Sequence, residues 1–119
     1  VIEAGLEIDD IHVLARLETY VGVIHGRPGP VTVVEQVTTE HGWVDQGVTV
    51  QQMRTVYRFS NGVAIRKQVE QDLAPSELAC AECWITYDVM ASPLLPVRPA
   101  RKRFENACRE AFWMKYHLA

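Results

Sequence analysis

The chain has 119 residues, 12 basic and 15 acidic, with a formal net charge of -3; 48% of its residues are hydrophobic and 23% charged. These proportions exclude a disordered chain, and the length fits one domain, residues 1–119, able to bury about two-thirds of its unfolded surface without a metal or disulfide. The balanced charge supplies no chain-wide field for nucleic acid, and no apolar run reaches the roughly 18 residues of a membrane span.

Residues 9–25 read as an amphipathic helix, because Val13, Leu14, Leu17, Tyr20, Val21 and Ile24 recur at helical spacing within an arc of about 120°. Asp9 and Asp10 place acid at its positive end, and His25, Gly26 and Pro28 stop it. After Pro30, residues 31–38 read as a strand and residues 39–47 as a loop. Two period-2 runs follow, 48–59 and 63–71, joined through Ser60, Asn61 and Gly62. With three residues in that loop and Gly62 in the left-handed conformation, Phe59 faces Val63, Tyr57 faces Ile65 and Met53 faces Val69. A two-residue loop sets Tyr57 against Arg66 and turns one strand's apolar set to the wrong face.

Residues 83–90 read as a further strand with Ile85, Tyr87 and Val89 on one side, while 77–82 fit either a helical turn or the start of that strand. A proline-rich connection, 92–99, precedes a helix over 99–118 with a stripe of Phe104, Ala107, Cys108, Ala111, Met114 and Leu118, widened by Phe112. The expected fold class is α+β: an N-terminal helix, a four-stranded antiparallel, meander-like sheet and a C-terminal helix, packed as a two-layer sandwich.

On this reading Arg98, Arg101, Lys102 and Arg103 crowd the start of a helix whose dipole is already positive there, each exposed charge opposing it by about 0.3–1 kcal/mol. The cluster is therefore a candidate anion or partner contact, with Trp113 beside it as a candidate protein hot spot. Pairing of Arg101 and Arg109 with Glu105 is the plainer account of the same charges. The second candidate is the 39–47 loop, where His41, Trp43 and Asp45, together with Tyr57, form a candidate ligand site. No nucleophile accompanies His41, and a Trp43 folded over the core edge explains the loop equally well.

Cys80 and Cys83 form a CxxC, but on a strand positions i and i+3 point to opposite faces, and no second ligand pair stands at zinc spacing. The three cysteines read as reduced thiols, with no metal and no cofactor, and the chain as cytoplasmic. The segment Pro93 to Arg98 matches PxxPx[KR] and reads as a connection. Walker A, GxGxxG, GxSxG, HExxH and EF-hand patterns are all missing, so no catalytic residue is named. The expectation is a small, non-catalytic protein-interaction module that is homodimeric. The alternatives are a small-molecule or minor enzymatic cup between helices and sheet, lined by Tyr20, Tyr57, Tyr87 and the His41 loop, and an anion or nucleic-acid contact through the basic start of the last helix.

Overall fold

A computed structural model describes residues 12–72 and 82–118. In chain order these form α1 (Leu17–Ile24), β1 (Val33–Asp45), β2 (Val48–Phe59), β3 (Ala64–Asp72), β4 (Glu82–Ala91), β5 (Arg101–Asn106) and α2 (Ala107–Leu118). The strands make one antiparallel sheet in the order β1-β2-β3-β4-β5, so each lies beside its successor and every connection within it is local. Among the described residues the sheet thus has five strands, against the four expected.

The β2–β3 register matches the apolar pattern. Tyr57 pairs with Ile65 and Met53 with Val69, and the Phe59 N–H donates to the Val63 carbonyl at 2.8 Å. Gly62 sits at φ +90°, where a side chain is strained and an added Cβ would come within 2.9 Å of Pro93. The Val63 N–H is taken up by the Asn61 side-chain oxygen at 3.2 Å. The three-residue loop is the one the pairing of apolar faces requires.

The segment 39–47 is not a loop. β1 runs on to Asp45 and turns through Gln46 and Gly47 alone, both with positive φ, the two-residue turn whose twist suits a hairpin. No residue of β1 is fully buried, so its sequence carries no apolar alternation to mark it. At about 3.4 Å per residue the 13-residue β1 is about 44 Å long.

The C-terminal helix begins at Ala107, and residues 101–106 are β5. The four-cation helix start expected from the sequence therefore does not exist. Instead the Asn106 side-chain oxygen accepts the Arg109 N–H at 2.8 Å, a regular N-cap that satisfies one of the free donors of the first turn. The N-terminal helix is also interrupted. Residues 12–14 form a helical turn, after which the Arg98 N–H donates to the Ala15 carbonyl at 2.9 Å and the Leu17 N–H to the Arg98 carbonyl at 3.0 Å. Chain pairing at Arg16 and Arg98 thus replaces helix before α1 resumes. Asp9 and Asp10, the expected cap, lie outside the described residues, as does most of 77–82.

Both helices pack on one face of the sheet. Leu17, Tyr20 and Val21 of α1 meet Phe59, Ile65, Ile85, Tyr87 and Phe104 in a single core, with Trp113 and Met114 of α2 packed at its margin. Tyr20 sits edge-on to Phe59 at 5.0 Å, and its hydroxyl donates to the Leu14 carbonyl at 2.7 Å. Gly22 lets the helices approach, because a Cβ there would lie 3.0 Å from Leu118. Cys83 is a free thiol, but Cys108 is disulfide-bonded, which corrects the expectation of three reduced thiols. Disulfides persist in oxidising compartments, so the cysteine count no longer supports a cytoplasmic placement. Among the described residues no helix is long and apolar enough to cross a membrane.

Candidate functional site

Strand pairing decides which side chains share a surface. Tyr57, Ile65, Val69, Ile85, Tyr87 and Phe104 face the helices, so their neighbours in each strand face away. Across that outer face run Val37, Val56, Arg66, Asp88 and Arg101 in one row, and Thr39, Arg54, Gln68, Thr86 and Arg103 in the next. Beyond them lie His41, Gln52, Glu70 and Trp84, then Trp43, Val50 and Asp72. Among the described residues no helix covers this face.

Its charge is divided along the strands. Toward the Ser60 turn stand Arg54, Arg58, Arg66, Arg101 and Arg103, with Glu35 and Asp88 among them. Asp88 is held between Arg66 at 3.2 Å and Arg101 at 3.6 Å, and Glu35 pairs with Arg58 at 2.8 Å. Toward the other end, Asp45, Glu70, Asp72 and Glu82 surround Trp43 and Trp84 in a shallow hollow of about 250 Å³. One half of the face is thus basic and the other acidic.

The sequence-predicted residues fall in different places. His41 and Trp43 do lie together, ring centroids 5.7 Å apart, and Asp45 shares their face, but Tyr57 is on the helix side of the sheet, paired with Gln36. Arg101 and Arg103 belong to the outer face, whereas Lys102 points to the helix side, its ammonium 5.4 Å from the Phe104 ring. Arg98 lies in the connection before β5. Trp113 packs against Phe104 at 5.4 Å, facing the sheet, while Phe112 is 67% exposed. The helical stripe is therefore rotated from the expected one.

A groove of about 580 Å³ follows the β5 edge. Four successive β5 residues, 102–105, form one wall, and Arg109, Phe112, Trp113 and Tyr116 of α2 stand along the other. The Arg103 guanidinium lies 4.2 Å from the Trp84 ring centroid, and Arg109 pairs with Glu105 at 3.4 Å.

One polar cluster escaped the sequence reading. Under the helices, the Tyr87 hydroxyl donates to Glu110 Oε2 at 2.5 Å, and His25 Nε2 lies 3.1 Å from that hydroxyl and 3.5 Å from Glu110 Oε1. Because the single tyrosine proton goes to Glu110, the His25 nitrogen is the donor to the tyrosine oxygen. Lys67 stands over the Tyr87 ring at 5.7 Å. Burial by itself would push the Glu110 carboxyl up, but the hydrogen bonds from His25 and Tyr87 and the charges of Lys67 and His25 outweigh it and hold it below the ordinary carboxylate range. Burial, and then the adjacent Glu110, push Tyr87 far above the usual phenol value. A glutamate inside an apolar helical stripe has no periodic signature, so nothing in the sequence marked it.

Chemically this cluster is a closed ring of mutually satisfied groups and offers no free nucleophile. Among the described residues no group of His, Cys, Asp and Glu could hold a metal ion. The chain matches no protein family model, no curated protein and no solved structure.

Proposed function

We propose that the protein is a non-catalytic interaction module that pairs with a second copy of itself through the outer face of the sheet. The observation that carries this reading is the division of that face into a basic half and an acidic half. A two-fold axis lying between two such sheets and perpendicular to their strands, near Thr86, sets each basic half on the partner's acidic half. Trp43 and Trp84, in the acidic half, supply the aromatic area that anchors interfaces of this kind.

The test is sedimentation equilibrium at several salt concentrations. The parent chain is expected to dimerise and to dissociate as salt rises, because exposed charges are screened within about 10 Å at 0.1 M. Arg54→Glu with Arg58→Glu turns the basic half slightly acidic, three arginines against four carboxylates, and Glu70→Lys with Asp72→Lys neutralises the acidic half, two lysines against Asp45 and Glu82. Each variant alone is expected to be monomeric and the mixture to form a heterodimer. A monomeric parent, or variants that still self-associate, overturns the proposal.

A further inference from the structure

We propose that the groove beside β5 binds an extended acidic peptide, which adds to the sheet as a sixth strand. β5 is the last strand in the order β1-β2-β3-β4-β5, so alternate residues along it direct their N–H and C=O groups away from β4 and into the groove. That the wall consists of consecutive residues, 102–105, means the groove runs along the strand rather than across it. Four strand residues span about 13 Å, and the α2 wall from Arg109 to Tyr116 rises about 10 Å. The two walls match in length and together frame a peptide of about four residues.

The side chains set the chemistry. Among the described residues Arg103, on the outer side of the strand, has no carboxylate partner, and its guanidinium lies over the Trp84 ring at 4.2 Å. A charge positioned in this way is ready for an acid that its own protomer does not supply. On the other, helix side Phe112 and Tyr116 are 67% and 75% exposed, a surface for the apolar side chains that an extended peptide presents on alternate positions. Single-stranded nucleic acid fits less well: Trp84 already carries a guanidinium on its ring, Glu105 stands in the wall, and the net charge of the chain is -3.

The probe is a capped, fluorescent peptide of four Glu-Val repeats, titrated with the full chain and followed by anisotropy. Three further ligands are compared: the Lys-Val peptide, the Glu-Val peptide N-methylated at alternate residues, and an oligothymidine of eight nucleotides. The Glu-Val peptide is expected to bind with salt-dependent affinity and to slow amide exchange along β5, while the Lys-Val and N-methylated peptides bind at least tenfold more weakly. Arg103→Gln is expected to weaken binding about tenfold. Because the N-methylated peptide is tested on the unaltered chain, the result does not depend on the variant folding. Absence of binding, indifference to N-methylation, or tighter binding of the oligothymidine overturns the proposal. Glu70→Lys with Asp72→Lys, which disrupts the proposed dimer face, leaves the backbone edge of β5 intact, so the preference for the Glu-Val peptide over its N-methylated form is expected to persist in that variant and the two proposals fail separately.

Discussion

Replacing Tyr87 by Phe removes one oxygen from a buried polar cluster and leaves everything else in place. Tyr87 is fully buried and Glu110 nearly so, so water cannot replace the lost bond. A hydrogen bond to a charged group is worth about 1.5–3 kcal/mol, and His25 loses its acceptor at the same time. The expected destabilisation is about 2 kcal/mol, measured by urea unfolding at pH 7. Glu110→Gln keeps the shape and an acceptor for the tyrosine proton, but it gives up the attraction of Lys67 and His25, for about 1 kcal/mol. In the double variant the effects are expected to fall short of additive by about 1 kcal/mol, because the two side chains share a single bond. A Tyr87→Phe change within about 0.5 kcal/mol of the parent, or strict additivity, refutes the assignment of a latch between sheet and helices.

The same latch predicts how stability follows pH. Glu110 is held below its ordinary value of 4.5, so its contribution is complete above that value and is lost as pH falls through the lower folded one. Melting temperature between pH 6 and 3 should therefore drop more steeply for the parent than for Glu110→Gln. Tyr87 lies on the other side: its folded value is raised above 10.0, so its contribution is complete below pH 10 and is lost above it as only the unfolded chain ionises, a limb that Tyr87→Phe removes. Asn106→Ala takes away the N-cap of α2 and should lower stability by about 1 kcal/mol, with the loss of ellipticity confined to that helix. Gly62→Ala, at φ +90° and facing Pro93 at 2.9 Å, should cost more than about 1 kcal/mol, whereas Gly42→Ala, with no close neighbour under 3.6 Å, should change denaturation midpoints little.

Legibility tracked burial. The β2–β3 register was readable because one face of each strand is apolar and a slip of one residue exposes it, and the pairing of Tyr57 with Ile65 follows. β1 gave no such signal beyond residue 38, since both of its faces are wet and it owes its extension to pairing with β2 and to the Gln46–Gly47 turn. β5 was misread as helix because Phe104 happens to stand at helical spacing from Ala107, Cys108 and Ala111. The sign against it was Asn106, a good N-cap residue placed after the cations rather than before them. Of the candidate site, His41 and Trp43 lie side by side while Tyr57 is on the other face, because alternation in a strand, where a loop was expected, assigns opposite faces. Arg103 and Lys102 were noticed for their charge, but only strand pairing separates them to two sides.

The meander also sets an order of assembly. Every strand finds its neighbour in the adjoining stretch of chain, so hairpins can close one after another with little loop entropy to overcome. The distant closures are those that tie the two ends of the molecule: the backbone bonds of Ala15 and Leu17 to Arg98, and the Arg27 guanidinium on the Leu118 carbonyl at 2.9 Å. These join segments about 80 to 90 residues apart and can form only once the sheet between them has taken shape. The helical layer is thus the last part to lock, and because it shares one core with the sheet, native-state hydrogen exchange should find α1 and α2 opening as one unit.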